Sequence, residues 1–283
     1  MPSRIHFLNT ENSDCIILES NGLFAMVDAG EDTEYPPDKP HLNLKGFEKE
    51  VIKYINKHCS DSNGNITFEF IVGTHAHSDH IGGFDTVIEQ PNVFIKKAYL
   101  KPYHEEGINR FERKMWDNLV VYTQMVNALK SKNIHIIEEF EGVKEQLGEF
   151  NITFYNGNYV RLNKKTGENR NSVLTLVEKD KLRALLAADL DYHYGGERVY
   201  SKIIGKINLL KVGHHGYLSS TTKGWLKKLM PEIAVICNNE IRVNKETKDK
   251  LTDISKSKIY YTVNSNGLIA DFKNDIEIIT DIM

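Results

Sequence analysis

Residues 66–83 read ITFEFIVGTHAHSDHIGG: an apolar run from Ile66 to Val72, then Thr74-His75-Ala76-His77-Ser78-Asp79-His80, then Gly82-Gly83. The run is short and rich in β-branched and aromatic residues, which predicts a buried strand. At its end, three imidazoles and one carboxylate fall within six positions. If His75 and His77 stay extended, a period of two points them alike, so they can grip one cation. Asp79 and His80, in the following turn, are free to face a second. Imidazole nitrogen with carboxylate oxygen suits Zn²⁺ and also admits Mn²⁺ or Fe, so two divalent metal ions, Zn²⁺ or Mn²⁺, are the expected cofactors. A structural zinc site would be a closed tetrahedron rich in cysteine, and none of Cys15, Cys59 and Cys237 lies in the cluster. His6, His41, His58, His135 and His193 stand outside any such pattern and read as ordinary surface or core histidines.

Outward from this stretch the chain alternates strands and helices. Arg4 to Leu8, Asp14 to Glu19 and Leu23 to Ala29 form a β-meander with Asn21-Gly22 as a hairpin signal. Pro36, Pro37 and Pro40 mark an exposed loop, and Phe47, Val51, Tyr54 and Ile55 share one face of a helix. Phe111, Met115, Leu119, Tyr122, Val126 and Leu129 predict one long amphipathic helix. Further strands are expected at Ile134 to Ile137, Phe150 to Tyr155, Ser172 to Val177, Leu182 to Ala187, Leu209 to Val212, Ile233 to Ile236, Lys258 to Thr262 and Leu268 to Phe272. Helices are expected at Thr222 to Leu229 and Lys245 to Ile254. Ser219, Ser220 and Thr221 are candidate caps for the first of these. Sheets in both halves with helices between them predict a layered α/β architecture. No linker cuts the 283 residues, which read as a single domain, 1–283, with a helical insertion around 101–132.

Two further aspartates and a histidine pair end strands as His75 follows one: Val27-Asp28-Ala29-Gly30, Ala187-Ala188-Asp189, and Lys211-Val212-Gly213-His214-His215-Gly216. Together with His-Ala-His-Ser-Asp-His they resemble the motifs of the metallo-β-lactamase fold. Asn169-Arg170-Asn171-Ser172, the histidine doublet, and Thr262 with Asn266-Gly267 are similar to the hydrolase domain of ComEC DNA-uptake proteins and its stand-alone relatives. The resemblance implies an αβ/βα sandwich, two mixed β-sheets packed face to face with helices outside. His75 and His77 would hold one metal and Asp79 and His80 the other. Asp189 would bridge them, His215 or else His214 would complete the second site, and Asp28 would support the metal loop from behind. Two departures stand out: Asn171 replaces the fold's usual third-motif histidine, and residues 238–244 lack the His-Pro pair common in that branch.

Two divalent cations bring four positive charges; Asp79, Asp189 and a bridging hydroxide remove three, leaving a site that attracts anions. Metal-dependent hydrolysis of a phosphodiester is therefore expected, nuclease-like and with DNA favoured by the resemblance. Asp79 and the doublet partner that does not bind metal, His214 if His215 is the ligand, would serve catalysis; Asn171, Ser172, Lys165 and Arg170 would meet substrate, with Lys164 beside them. One alternative is hydrolysis of a carboxylic ester, thioester or lactone; another is a non-catalytic metal-binding regulatory module. Tyr99, Lys101, Tyr103, His104, Arg110, Phe111, Arg113, Lys114 and Trp116 interleave aromatic and basic groups as single-stranded nucleic-acid sites do, with Glu105, Glu106, Glu112 and Asp117 diluting the charge. The balance of 36 Lys and Arg against 39 Asp and Glu, a formal charge of -3, advertises no global basic field. Scattered cysteines and the lack of an apolar run of roughly 20 residues give the expectation of a cytoplasmic protein with no membrane partner.

Overall fold

Asn21 and Gly22 both take positive φ, 56° and 77°, which is what a two-residue hairpin turn between right-twisted strands requires. They join β2 (Cys15–Ser20) to β3 (Leu23–Ala29), and β1 (Ser3–Phe7) pairs with the other side of β2. The computed structural model describes residues 1–160, 165–193 and 196–283. Helix α1 (Glu48–His58) follows, then β4 (Ile66–Gly73), α2 (Ser78–Ile81), α3 (Phe84–Glu89), β5 (Val93–Ile95) and β6 (Lys97–Leu100). Two helices, α4 (Arg110–Met115) and α5 (Asn118–Ser131), precede β7 (His135–Ile137). The second half runs β8 (Lys144–Leu147), β9 (Phe150–Tyr155), β10 (Leu174–Lys179), β11 (Leu182–Leu186), α6 (Gly196–Ile204), β12 (Leu209–Lys211) and α7 (Lys223–Leu229). It ends with β13 (Ile233–Ile236), α8 (Lys245–Lys250), β14 (Lys258–Tyr261), β15 (Leu268–Phe272) and β16 (Ile276–Thr280).

Among the described residues these strands form two mixed sheets. One has the order β16-β15-β1-β2-β3-β4-β6-β7, with β5 also on β4; the other has the order β14-β13-β12-β11-β10-β9-β8. Three apolar clusters define the layers. Phe7, Phe70, Tyr99, Phe154, Leu186 and Val235 belong to the one between the sheets. A second joins the outer face of the first sheet to α1, α3 and α5 through Val51, Phe84, Met125 and Leu129. The third joins the other sheet to α6 and α7 through Ile204, Trp225 and Leu226. The expected αβ/βα sandwich is the observed architecture.

Strands β3, β4 and β6 run parallel, as do β11, β12, β13 and β14. Their carboxyl ends gather along one edge of the sandwich, where open α/β sheets leave a crevice. Asp28, His75, Asp189 and the histidine doublet all follow or end such strands.

The long helix expected from Phe111 to Leu129 is instead two helices. Trp116 between them is extended, with φ −113° and ψ 164°. Carbonyls at the break are taken by another segment: Lys39 Nζ donates to those of Arg113 and Trp116, and His41 Nε2 lies 2.7 Å from that of Met115. Phe111 is accordingly 69% exposed and is no part of the buried stripe, which Val121, Met125 and Leu129 carry on α5. Strands β5, β6, β8 and β16 and helices α2, α3 and α6, short or weakly patterned, are additional to the expected elements. The cap of α7 is Thr222, whose Oγ1 accepts from Trp225 N, not Ser219, Ser220 or Thr221. Among the described residues no helix is long and apolar enough to cross a membrane.

Candidate metal centre

The backbone of β4 stops at Gly73, and the next residues are held from behind by β3. Asp28 Oδ1 accepts from Thr74 N at 2.9 Å, and its Oδ2 accepts from Thr74 Oγ1 at 2.7 Å. Gly82 and Gly83 let the turn lie against the sheet: a Cβ on Gly82 would come within 2.6 Å of Asp32 N, and one on Gly83 within 2.6 Å of the Ala29 carbonyl.

Each histidine of the loop has one ring nitrogen committed outward. His80 Nδ1 lies 2.7 Å from Asp28 Oδ2, His77 Nε2 lies 2.9 Å from Glu112 Oε1, and His75 Nδ1 lies 3.1 Å from Thr74 Oγ1. His215 follows the same rule, its Nδ1 lying 3.2 Å from the Cys237 carbonyl. Partners of this kind set the tautomer and leave the opposite nitrogen as a ligand. For His75 and His77 the opposite nitrogens are Nε2 and Nδ1, 3.1 Å apart. For His80 and His215 they are the two Nε2 atoms, 3.2 Å apart.

Two carboxylates complete the second pair. Asp189 Oδ1 is 3.2 Å from His80 Nε2 and 3.4 Å from His215 Nε2, and Asp79 Oδ2 is 3.2 Å from His215 Nε2. Asp79, His80, Asp189 and His215 thus offer four ligand atoms within 4.8 Å of one another. Asp189 Oδ1 is buried and has no hydrogen-bond partner among the described residues. With the outer nitrogens protonated toward Asp28 and Cys237 and both rings neutral, all four converging atoms would be acceptors, and a shared cation would offset their mutual repulsion. The donor set fits a divalent ion.

Protons compete for the same place. Burial favours the neutral His80 ring, but Asp189, Asp28, Asp79 and Asp14 outweigh it and raise the His80 pKa well above the usual imidazole value. Burial likewise pushes the Asp189 carboxyl up, and His215, His80 and His214 outweigh it and hold it well below the usual carboxylate range. Burial, with His80 and His77 adding to it, keeps His75 well below its ordinary value.

The doublet divides its labour through strained backbone. His214 and His215 both lie in the left-handed region, φ 49° and 48°, so successive side chains leave in different directions. His215 enters the cluster. His214 keeps its Nε2 3.8 Å from Asp189 Oδ2, while its Nδ1 is bonded to Ser219 Oγ. Ser172 is fully buried, and its hydroxyl accepts from Asp189 N at 3.2 Å. Asn171 donates its side-chain amide to Glu168 Oε2 at 2.9 Å. Arg170 is half-buried in the same turn and Lys165 is exposed; Lys164 lies outside the described residues.

Four residues near the centre carried no assignment in the sequence. Lys211 is fully buried, forms an ion pair with Asp14 and donates to the Ala188 carbonyl at 3.0 Å; Asp14 N donates in turn to the Asp79 carbonyl. Glu112 approaches from α4 and Glu168 from the turn before β10. No spacing pattern links either pair, and Glu112 read only as a charge diluting a basic segment. Tyr99, included in that segment, is instead packed in the inter-sheet core.

No known protein-family profile matches the chain. It is 25% identical over 191 residues to "Recombination protein 2" of Haemophilus influenzae, a match covering 67% of this chain and 19% of that protein. The metallo-β-lactamase fold protein YhfI from Bacillus subtilis superposes with a TM-score of 0.57 at 10% identity, over 96% of this chain and 100% of the other. Zn²⁺-bound PqqB from Methylobacterium extorquens gives 0.52 at 11% identity, over 92% and 87%. By its two mixed sheets, its outer helices and these structural likenesses, the chain has the metallo-β-lactamase fold.

Proposed function

We propose that this protein is a metal-dependent hydrolase that cleaves phosphodiesters, with nucleic acid, DNA foremost, as its substrate. The observation that carries the reading is the convergence of His80 Nε2, His215 Nε2, Asp79 Oδ2 and Asp189 Oδ1, within 4.8 Å of one another, beside the paired nitrogens of His75 and His77. Those six side chains would hold two divalent ions, Zn²⁺ or Mn²⁺. When bound, such ions supply an activated water near neutral pH and offset charge on a phosphoryl group. His214 stands beside Asp189 and outside the cluster. Its Nδ1 is paired with the Ser219 hydroxyl, and in the tautomer where that hydroxyl donates, Nε2–H would face the crevice as a donor for a phosphate oxygen or the leaving oxygen.

Support for a nucleic acid comes from α4. Of the four acidic residues that dilute the charge of this segment in the sequence, Glu112 and Asp117 are 6% and 4% exposed and turn inward, while Glu105 and Glu106 stay on the surface. Arg110, Phe111, Arg113, Lys114 and Trp116 are left on the surface, a basic and aromatic set suited to phosphates and stacked bases. The relative named "Recombination protein 2" points the same way, through the 19% of its length that is matched.

The test is a panel of single- and double-stranded oligonucleotides, a nitrophenyl phosphodiester, a thioester and a lactone, each with Mn²⁺ or Zn²⁺. Phosphodiester turnover that a chelator abolishes and that Asp189→Ala lowers by roughly 10–100-fold or more is expected. Turnover of the thioester or lactone alone would replace this reading.

A further inference from the structure

The helical insertion between β6 and β7 sends one side chain into the metal loop. Glu112 Oε1 accepts from Asn118 Nδ2 and from Glu168 N, each at 2.9 Å, in addition to its 2.9 Å contact with His77 Nε2. Its Oε2 accepts from Asn109 Nδ2 at 3.2 Å.

Glu168 continues the chain of contacts. Its Oε1 accepts from Ala76 N at 3.2 Å, the peptide between the two histidines, and its Oε2 accepts from Asn171 Nδ2. Backbone bonds from Asn109 N to the Thr166 carbonyl and from Thr166 N to the Gly107 carbonyl, 2.9 Å each, stitch the insertion to this second segment. At Gly167 a Cβ would come to 2.5 Å from Glu112 Oε2, so a larger residue there would push the carboxylate aside.

We infer that Glu112 is a positioning residue for the His75 and His77 pair: it keeps the proton of His77 on Nε2 and turns Nδ1 toward His75 Nε2, while Glu168 fixes the backbone between them. The inference rests on reading those histidines as metal ligands. The sequence resemblance sets Asn171 in the place of a third imidazole, and its amide nitrogen donates to Glu168. With two imidazoles in place of three, affinity depends on how firmly the remaining pair is held before the ion arrives. The insertion is then part of the metal site, acting from behind it.

The experiment is a Zn²⁺ titration of chelator-stripped wild type, Glu112→Ala and Glu112→Gln. It is read as bound ion per chain, together with the ¹⁵N–¹H tautomer signature of His77 in the metal-free proteins at alkaline pH. Glu112→Ala should weaken one binding step by about 10–100-fold and leave the other in place. Its His77 should lose its preference for Nε2–H. Glu112→Gln keeps an acceptor oxygen without the charge and should fall between. Unchanged isotherms with an unchanged tautomer, or equal weakening of both steps, would overturn the inference. If Glu112→Ala does not fold, the isosteric Gln variant decides by the same criteria. A wild type that takes up no ion overturns this inference and the metal reading together. A wild type that binds ions but cleaves no phosphodiester removes only the functional reading, and the isotherms still judge Glu112.

Discussion

Four non-glycine residues around the centre adopt the left-handed conformation: Asp28 (φ 56°), Ala188 (43°), His214 (49°) and His215 (48°). Each such residue costs on the order of 1 kcal/mol or more and persists only where its surroundings over-determine it. Here they do: Asp28 is locked by Thr74 and His80, the Ala188 carbonyl by Lys211, and His215 by Cys237 and Asn238. A second residue-scale tension lies beyond the loop, where Asp32 is 4% exposed. Burial is the main cause that pushes its pKa up to about 8; a hydrogen bond from Glu34 N opposes this, and Asp85 and Glu48 add to it. The folded protein therefore keeps this proton to about pH 8, whereas the unfolded chain releases it near the ordinary value of 3.8. Its contribution to stability is full below the unfolded pKa and is lost as pH rises through the folded one. Asp32→Asn should accordingly gain on wild type by about 1 kcal/mol or more between pH 4 and pH 8.5, measured by urea unfolding at both. A difference that does not change with pH would show that Asp32 is ionised in the fold.

At the scale of elements, helix ends and breaks decide what the apolar pattern does not. Thr222 Oγ1 caps α7 through Trp225 N, and the Glu197 carboxylate accepts from Thr222 N at 2.9 Å and also from Thr221 N, so three donors at this helix start are satisfied by two side chains. Thr222→Ala is expected to cost about 1 kcal/mol in denaturant unfolding and to leave metal content unchanged. The candidates Ser219, Ser220 and Thr221 are of the right residue type, and distance along the chain does not choose among neighbours. Local geometry does: Thr221 has φ 60°, Ser220 Oγ donates to the Gly213 carbonyl, and Ser219 is engaged with His214. The α4–α5 break has the same character. An apolar period of threes and fours runs straight across Trp116, and the chain departs from it because Lys39 and His41, some seventy residues away, take carbonyls at the break.

At the scale of the whole molecule, the centre joins the two sheets. Asp28 and His80 come from the first, and Asp189 and His215 from the second. An ion held across that edge binds the folded chain and not the unfolded one. At a free concentration one hundred times its Kd, a single ion adds about 2.7 kcal/mol. That corresponds to about 4–5 °C for a domain of this size. Chelation should therefore lower the melting temperature by several degrees, restored by Zn²⁺ or Mn²⁺, and Asp189→Ala should abolish the response. Equal melting curves with and without chelator would show that no ion bridges the sheets.

The first ligand loop, the strand-ending Asp28 and Asp189 and the histidine doublet were legible in the sequence because each is a short, local signature at the end of an apolar run. Strand and helix order was legible for the same reason, since periods of two and near four are written in neighbouring residues. Sequence left open which histidine of the doublet joins the cluster. The left-handed backbone at His214 and His215 settles their placement, and φ is not encoded by residue type there. Nor could sequence pair Lys211 with Asp14, Glu112 with His77, or Glu168 with Ala76. These partners are 197, 35 and 92 positions apart and carry no common motif. Only packing brings them together: β-sheet pairing and the insertion bury their charges, and a buried charge must find a partner wherever in the chain that partner lies.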